Sequence, residues 1–352
     1  MKLLAIDNNT GSRFYRLIPM LKYMERMGHQ VDMIAHNDPQ FDARVAWSDV
    51  VVLQMVFAPE TVQDIKAMGK KVIFECDDLI HTVPKTHYNY EDTRGFGKFK
   101  WYWRIFKTLR QCDGFISTNK YLNRVYGWMA KDSLIFPNYS DLSHWMKEPK
   151  KNLNPDKIRL LWAGSTSHVG DLLWARPILE TIIKKYPQVQ FVYIGMGGAS
   201  TDDLYAQFIY GEDFFSYLPQ DRRESILPVF PHVWPYILSS LQADIAIAPL
   251  EKNYFNKFKS QCKYLEYSLS GIPGVYSAWH YKDVKDGVTG FVANTVDEWI
   301  AKLSTLIEGG ILRAEMSKAA REDVINNHDI TKHLSMWQKF VEDIGGSNGK
   351  GE

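Results

Sequence analysis

The sequence predicts an α/β protein in which two doubly wound parallel-sheet domains follow one another, with a cleft between them. Three observations lead to this prediction. Short apolar runs alternate with amphipathic helical stretches along the chain, which is typical of parallel sheets covered by helices. The alternation stops at a polar, proline-containing connector, residues 152–156, and starts afresh at Ile158. The length of 352 residues also agrees with two domains.

The first half of the chain contains the strands and helices of one sheet. The buried strand Leu3–Ile6 is followed by a polar loop and by a helix over about residues 13–27 that ends at Gly28. Further strands are predicted at Val31–Ile34, Val50–Leu53, Lys71–Phe74, Gly114–Ser117 and Ser133–Phe136, with a helix near residues 59–68. Together these elements define an N-terminal domain over residues 1–150.

The second half repeats this pattern. Its strands are predicted at Ile158–Trp162, Gln190–Ile194, Ile245–Ala248, Val275–Tyr276 and Thr289–Val292. A glycine-rich loop at residues 195–198 follows the second of these strands, and helices are predicted up to Tyr186 and over residues 295–308 and 312–327. These elements define a C-terminal domain over residues 151–330. Residues 331–352 are predicted as a final amphipathic helix to about Ile344 and a flexible tail.

The composition is that of an ordinary globular protein, with 45% hydrophobic and 24% charged residues. A net charge of +1 argues against a protein that binds polyanions over its whole surface. Three widely spaced cysteines predict reduced thiols and show no metal-ligand pattern. The apolar run at the N-terminus is too short for a signal peptide, and no window approaches the ~20 apolar residues of a membrane span. We therefore expect a cytoplasmic protein, at most bound to the inner face of a membrane.

One predicted helix carries positive charge at its start. It is expected to begin after Ser260 as the N-cap and to end at Gly271. Lys259 and Lys263 would then share a small volume with the free N–H groups of the first turn, an arrangement that binds a diphosphate without a metal. Glu266 lies three residues after Lys263 on the same face and is predicted to accept hydrogen bonds from ribose hydroxyls. The alternative is a solvated helix face.

The position of this helix supports the binding-site interpretation. It follows the strand Ile245–Ala248, so its start lies at the carboxyl ends of the strands, where open parallel sheets bind ligands. The cleft between the two domains is therefore the expected active site.

Several segments resemble the GT-B glycosyltransferases, specifically the retaining family-4 group and its bacterial and phage subset. The similarity is strongest from about Asp244 to Arg321, where the run from Ala248 to Tyr267 is similar to the donor-site signature of that family. In the first half, residues 11–17 resemble the loop and helix that face the donor sugar. The same holds for the Asp-rich turn at residues 74–79 and for the joining segment Pro137-Asn138. The resemblance covers most of the chain and implies two Rossmann-like domains, the first facing the acceptor and the second the donor.

The resemblance also implies a set of site residues. A nucleotide-diphosphate sugar is the expected donor substrate, and no cofactor or metal is expected to be required. The candidate donor-binding residues are Gly11, Ser12, Arg16, Gly164, Ser165, Thr166, Asn256, Lys259, Ser260, Lys263 and Glu266. The candidate catalytic residues are Arg13, Asp77 and His168. In a front-face retaining mechanism the donor phosphate takes the acceptor proton, and protein cations stabilise the departing diphosphate.

Two features of the family are missing here. Many members carry a first Glu separated from the second by seven residues, and that position is Phe258 in this chain. Many also carry an Arg and a Lys in the loop after the first strand of the C-terminal domain, whereas residues 164–168 read Gly-Ser-Thr-Ser-His. Lys259 and Lys263 are therefore expected to supply the positive charge.

Other polar residues allow further interpretations. Asp77 and Asp78 could suggest a metal, but adjacent side chains point in different directions, so a loop hydrogen bond or a contact in the cleft is favoured. His81 and His87 lie near the predicted cleft loops and are considered with His168 as acid–base groups, although a surface histidine usually has no such role.

Residues 94–110 interleave basic and aromatic side chains and contain no acidic residue. Lys98, Lys100, Trp101 and Arg104 from this segment are the candidate acceptor-binding residues. Three interpretations stay open: a helix with packed aromatics and solvated lysines, a patch at a membrane interface, and a contact with a polyanion such as DNA.

The leading functional prediction is a hexosyl- or pentosyltransferase. Its expected partners are a nucleotide sugar and an acceptor that is a glycan, a lipid-linked glycan or a modified base in phage-type DNA. The alternatives are a nucleotide-sugar epimerase of the same fold and a catalytically silent nucleotide-sugar-binding module. The oligomeric state stays open.

Overall fold

The computed structural model describes residues 1–8, 11–87, 89–154, 156–195, 214–227 and 229–346, with Thr166 described by its backbone alone. The first domain is built on a six-stranded sheet in which neighbouring strands are parallel, in the order β2-β1-β3-β4-β5-β6. Its strands are β1 Lys2–Asp7, β2 Gln30–Ala35, β3 Val50–Gln54, β4 Lys71–Cys76, β5 Gly114–Ser117 and β6 Asp132–Ile135.

Helices cover both faces of this sheet. They are α1 Arg13–Arg26, α2 Phe41–Trp47, α3 Pro59–Ala67, α4 Tyr90–Thr93, α5 Phe96–Leu109 and α6 Lys120–Tyr126. The predicted end of α1 is confirmed, because Gly28 adopts φ +87° just beyond it, a conformation that side chains with a Cβ rarely adopt. Burial of near-continuous apolar strands such as Val50–Gln54 places the core on both faces of the sheet.

The second domain is also built on six parallel strands, in the order β12-β11-β10-β7-β8-β9. Its strands are β7 Ile158–Gly164, β8 Val189–Gly195, β9 Arg223–Ile226, β10 Ile245–Ala248, β11 Gly274–Ser277 and β12 Phe291–Ala293. The sequence did not indicate β9, because this edge strand has a polar, half-exposed sequence instead of an apolar run. Residues 196–198 of the predicted glycine-rich loop lie outside the described residues.

The helices of the second half are α7 Val169–Lys185, α8 Trp234–Ser240, α9 Cys262–Leu269, α10 Val296–Glu308, α11 Gly310–Asn327 and α12 Leu334–Gly346. The predicted helix over residues 312–327 begins two residues earlier, at Gly310. The final helix continues beyond Ile344 to Gly346, and the predicted tail at residues 347–352 lies outside the described part. The two parallel sheets confirm the predicted fold class.

The last helix returns to the first domain. Trp337, Val341 and Ile344 of α12 pack in the core cluster that contains the strands β1 and β3. A Cβ atom on Gly114 of β5 would lie 2.4 Å from the Ile344 side chain, so only a glycine lets α12 approach the sheet this closely. The chain thus crosses between the domains twice, and the crossings pair at Ser140, whose N–H donates to the His328 carbonyl at 2.9 Å.

Candidate active site

The loops around α9 meet at the point of the second sheet where the strand order reverses. β7 and β10 are neighbours in this sheet, and the chain leads from them toward opposite edges. Open parallel sheets bind ligands at such a switch point, outside the carboxyl ends of the strands. Residues 165–168 connect β7 to α7 at this edge, and residues 249–261 connect β10 to α9.

The end of α9 is built as predicted. Gly271 adopts φ +69° just beyond the helix. Its N–H donates to the Ser268 carbonyl at 3.0 Å, and the N–H of Ile272 donates to the Tyr267 carbonyl at 2.9 Å. These two bonds form the Schellman arrangement, which satisfies the last carbonyls of the helix and fixes its length.

The start of α9 differs from the prediction by one residue. Gln261, and not Ser260, precedes the first helical residue. The Ser260 hydroxyl instead accepts a hydrogen bond of 3.0 Å from the side chain of Asn138, in the segment that joins the domains. The Gln261 side chain donates to Asp283 at 2.7 Å and makes no capping bond to the helix. The first turn of α9 therefore carries no side-chain cap.

The side chain of Lys263 is buried. Its side chain is 9% exposed, and its Nζ donates to Nε2 of His168 at 3.3 Å. A Cβ atom on Gly164 would lie 3.0 Å from this Nζ, so the glycine leaves space for the ammonium group. The Nζ also lies 5.7 Å from the centre of the Trp162 ring. Burial lowers the pKa of Lys263 to about 8, and the charge of Glu266 acts in the opposite direction.

His168 links Lys263 to a buried carboxylate. Its Nδ1 donates to Oδ2 of Asp171 at 2.6 Å, while Nε2 accepts from Lys263. The other oxygen of Asp171 accepts from the Glu251 backbone at 2.7 Å and from the Asn256 side chain at 2.8 Å. Burial raises the pKa of Asp171 to about 6, and burial lowers the pKa of His168 well below its ordinary value. A neutral His168 protonated on Nδ1 satisfies all these bonds.

Glu266 lies on the same side of α9 as Lys263 and reaches the first domain. Its Oε1 accepts a hydrogen bond of 2.9 Å from the hydroxyl of Tyr15, a residue of α1. Burial raises the pKa of Glu266, while the charge of Lys263 and the Tyr15 hydroxyl act to lower it. Lys263 and Glu266 are both more than nine-tenths buried, so the alternative of a solvated helix face is wrong.

Lys259 faces the acidic turn of the first domain. Its Nζ lies 3.6 Å from Oδ2 of Asp78 across the domain interface. The neighbouring Asp77 is half-buried, and burial, followed by the charge of Asp78, raises its pKa to about 6. The charges of Arg16 and Lys259 act in the opposite direction. Within the described residues, no group of three His, Cys, Asp or Glu side chains is arranged to hold a metal ion.

Arg16 lies in the core and connects the two domains. It is 1% exposed and forms an ion pair with Glu75. Its Nη1 donates to the Phe136 carbonyl at 3.0 Å and to the side-chain oxygen of Asn138 at 2.6 Å. Because the Asn138 amide group also donates to Ser260, these bonds run from α1 through the joining segment to the residues before α9.

The loop after β1 lies nearer the surface. Gly11 is exposed, and Ser12 is half-buried directly before α1. The Arg13 side chain is 42% exposed, and its Nη1 lies 3.4 Å from the buried carboxylate of Asp7. The guanidinium is therefore held near the carboxyl end of β1.

The loop after β7 forms a 3₁₀ turn over Thr166–His168. It follows Gly164, the last residue of β7. The hydroxyls of Ser165 and Ser167 lie 2.9 Å apart, and the His168 N–H donates to the Ser165 carbonyl at 3.1 Å. The Thr166 side chain lies outside the described part of the structure. This turn carries the His168 ring toward Lys263.

His81 and His87 are buried and not at the surface. Nδ1 of His81 lies 2.7 Å from the Tyr126 hydroxyl. The ring of His87 packs edge-on against Phe255 of the second domain at 5.4 Å. Burial lowers the pKa of each histidine to about 4, so both are neutral at physiological pH.

The predicted acceptor-binding residues divide between two sides of α5. The Trp101 ring packs inward, 6.2 Å from the Phe57 ring. Arg104 is exposed, and its Nε donates to the Phe57 carbonyl. Lys98 and Lys100 are exposed. The segment therefore contains one helix, α5, and only some of its aromatic side chains pack against the core.

The two domains touch around the site. Phe258 is 3% exposed and packs in the core of the first domain, and its carbonyl accepts from the Asn119 side chain at 2.7 Å. A Cβ atom on Gly170 would lie 2.4 Å from the Thr86 hydroxyl, so α7 meets the first domain closely. These contacts join the two domains through the loop before α9 and the start of α7.

Comparison with known proteins gives structural matches. No family model matches the sequence, and no curated protein matches it. A sucrose-phosphate synthase from Thermosynechococcus elongatus is 11% identical, with a TM-score of 0.70 over 99% of this chain and 100% of that one. Anabaena HepE in complex with UDP-glucose is 12% identical, with a TM-score of 0.64 over 97% and 100% of the two chains.

A third match is a putative UDP-N-acetylglucosamine 2-epimerase from Listeria monocytogenes. It is 11% identical, with a TM-score of 0.51 over 96% of this chain and 97% of that one. At sequence identities this low, structural similarity shows the fold alone. The chain has the GT-B fold of two Rossmann-like domains, as the sequence resemblance implied.

Sequence reasoning missed two residues of the site. Asp171 lies three positions after His168, a helical spacing that places both side chains on one side and could have indicated their contact. Tyr15 lies 251 positions from Glu266, and no local pattern connects two residues so far apart.

Proposed function

We propose that this protein is a glycosyltransferase that moves a sugar from a nucleotide-diphosphate donor to an acceptor hydroxyl, with retention at the anomeric carbon. The observation that carries the proposal is the buried ammonium group of Lys263 at the switch point of the second sheet, with Glu266 beside it. Burying a lysine costs free energy, and perturbed charges of this kind concentrate at functional sites. The GT-B fold supplies the setting, because a second domain faces this edge.

The proposed role of the cations is to hold the diphosphate. Lys263 and Lys259 bring two positive charges to the start of α9, where the helix dipole also favours an anion. The diphosphate gains negative charge as the bond to the sugar breaks, so fixed cations stabilise the transition state more than the ground state. Glu266 would bind ribose hydroxyls while Tyr15 orients its carboxylate.

His168 serves in this proposal to position Lys263. Its Nδ1–H is held by Asp171 and its Nε2 accepts from Lys263, so both nitrogens are engaged. A donor phosphate oxygen would then take the proton of the acceptor hydroxyl, as front-face retention requires. Arg13 and Asp77, on the side of the first domain, are the candidates for contact with the sugar.

Donor entry requires the domains to separate. The Lys259–Asp78 and Tyr15–Glu266 pairs bridge the two domains on either side of Lys263 in the sequence. Opening about the two chain crossings near Ser140 would admit the donor, and closure would exclude water and limit its hydrolysis.

The experiment is a thermal-stability screen with nucleotide sugars, followed by mass spectrometry of candidate acceptors. HepE was solved with UDP-glucose, so uridine diphosphate sugars are tested first. A ligand that binds only the folded state raises Tm, and the stabilisation grows with the logarithm of its concentration over Kd. Stabilisation by a nucleotide sugar together with transfer to an acceptor supports the proposal, and no stabilisation by any nucleotide diphosphate contradicts it.

An epimerase is the second candidate, supported by the likeness to the Listeria protein. Such an enzyme would convert a nucleotide sugar to its epimer without an acceptor. NMR of the donor incubated alone separates the two activities, because a transferase leaves the sugar configuration unchanged. A catalytically silent binding module would bind the nucleotide sugar and form neither a glycosylated acceptor nor an epimer.

The acceptor proposed is a glycan or a lipid-linked glycan, bound on the first domain. The same mass-spectrometric screen tests transfer to a modified base, with unglycosylated DNA that carries this base as the candidate acceptor. No helix in the described part of the chain is long and apolar enough to cross a membrane.

A further inference from the structure

The helix α5 carries two apolar stripes on different sides. One stripe faces inward: Trp101, Tyr102, Ile105 and Leu109 pack on or within the core of the first domain. The other consists of Phe96, Phe99, Trp103 and Phe106, spaced by three, four and three residues, and such spacing aligns side chains along one side of a helix. A surface helix of a globular protein usually has only the first stripe.

Most of the second stripe is exposed, whereas Phe106 is half-buried and also packs against the core of the first domain. Phe96 is 81% exposed, Phe99 61% and Trp103 48%, and Trp128 beside them is 59% exposed. The rings form two groups of contacts. Phe96 lies 6.1 Å from Phe99, whereas Trp103 stacks on Phe106 at 5.3 Å and Phe106 lies 6.0 Å from Trp128. We name these five residues the aromatic stripe. Exposed apolar patches rimmed by polar residues mark interaction sites.

Positive charge surrounds the aromatic stripe. Lys100 and Lys107 are exposed and occupy the next helical position after Phe99 and Phe106, and the Lys107 Nζ lies 5.6 Å from the Trp103 ring. The exposed side chains of Arg110 at the end of α5 and of Arg124 on α6 add two more cations. The acidic residues of the adjoining helix α4 are Glu91, which pairs with Arg94 at 2.8 Å, and Asp92.

We propose that the aromatic stripe docks the first domain on the surface of an anionic lipid bilayer. Exposed phenyl and indole rings enter the boundary between headgroups and acyl chains, and flanking lysines meet anionic headgroups. A duplex nucleic acid would use the cations, but its phosphates offer nothing to the exposed rings of Phe96 and Phe99. The combination of apolar rings and positive charge on one side of a helix therefore favours a membrane. This inference is independent of the proposed transferase activity.

The experiment is flotation of the full chain with vesicles of phosphatidylcholine alone and of phosphatidylcholine mixed with phosphatidylglycerol. The wild type is expected to float with the mixed vesicles and to lose most binding at high salt, because the charge contribution is screened. The double variant Phe99→Ser/Trp103→Ser is expected to bind the mixed vesicles at least about tenfold less. Phe99 is mostly exposed, whereas Trp103 is half-exposed and stacks on Phe106, so thermal unfolding of the variant is measured to verify that it is folded.

The control is Phe230→Ser, which removes an equally exposed aromatic ring, 69% exposed, from the second domain and should bind as the wild type does. A charge variant, Lys100→Glu/Lys107→Glu, tests the same surface without removing an aromatic ring and should also lose binding to the mixed vesicles. Equal flotation of wild type and both double variants overturns the inference. So does absence of wild-type binding to the mixed vesicles, or binding to duplex DNA in their place.

Discussion

The hydroxyl of Tyr15 donates a hydrogen bond of 2.9 Å to the carboxylate of Glu266 across the domain interface. The bond joins the first helix of one domain to the helix that carries Lys263 in the other. Glu266 is 7% exposed, so a hydrogen bond to its charged form contributes more than one at the surface. The two domains thereby share the group that we propose to bind ribose.

We expect Tyr15→Phe to weaken nucleotide binding. Without the hydroxyl the Glu266 carboxylate loses a donor that orients it, and hydrogen bonds to charged groups contribute about 1.5–3 kcal/mol. Isothermal titration calorimetry with uridine diphosphate should therefore show a Kd raised by about tenfold or more. Tyr236→Phe, at an exposed tyrosine of the second domain, is the control and should bind as the wild type does. Unchanged affinity in Tyr15→Phe would show that this hydroxyl does not orient Glu266 for nucleotide binding.

Nucleotide affinity should fall with rising pH. The pKa of Lys263 is lowered to about 8, so above that pH the free protein must take up a proton before this side chain can hold a phosphate. We expect Kd to be nearly constant between pH 7 and the pKa and to rise toward about tenfold per pH unit above it. Lys263→Arg keeps its charge over this range and should show no such rise. A wild-type Kd that is flat up to pH 9 would contradict the role of Lys263.

Asp171→Asn should shift that pH dependence. The negative charge of Asp171 acts to raise the pKa of Lys263, so its removal should lower this pKa and begin the loss of affinity at a lower pH. The variant also disturbs the hydrogen bond that holds His168. Asp297→Asn, at an exposed position of α10, is the matched control. A purely structural effect would reduce the fraction of active protein and leave the midpoint in place.

Gly170→Ala should force the domains apart. The new Cβ would lie 2.4 Å from the Thr86 hydroxyl, closer than folded structures tolerate. We expect a loss of about 1–3 kcal/mol in the free energy of unfolding, measured by urea denaturation. Thr86→Ala in the same chain should restore part of this loss, because it removes the nearest clashing atom and leaves Oε2 of Glu251 at 2.9 Å. Gly346→Ala, where an added Cβ meets nothing within 4 Å, is the control and should be close to neutral.

Local patterns in the sequence determine much of this fold. Apolar runs such as Val50–Leu53 predict buried parallel strands, and the glycine at 271 predicts the end of α9. The spacing of Lys263 and Glu266 predicts that both side chains share one side of a helix, and the structure has them together. The polar edge strand Arg223–Ile226 lacks such a pattern, so the sequence does not predict it.

The surroundings of these residues depend on contacts between distant segments. Arg16 has the side chain of a surface residue, yet it is buried where Glu75 and Asn138, far along the chain, pair with its guanidinium group. The same holds for Phe258, whose place in the core of the other domain depends on how the two domains dock. No periodicity within a single sequence encodes such pairings.

The proposed function depends on the buried ammonium group of Lys263, which we expect to bind the diphosphate of a nucleotide. The decisive measurement is calorimetric titration of Lys263→Ala with uridine diphosphate, with Lys252→Ala, at an exposed lysine of the loop before α9, as the matched control. Thermal unfolding of both variants verifies that they are folded. We expect measurable binding by the wild type and by Lys252→Ala and none by Lys263→Ala. Wild-type affinity in a folded Lys263→Ala variant would contradict this expectation.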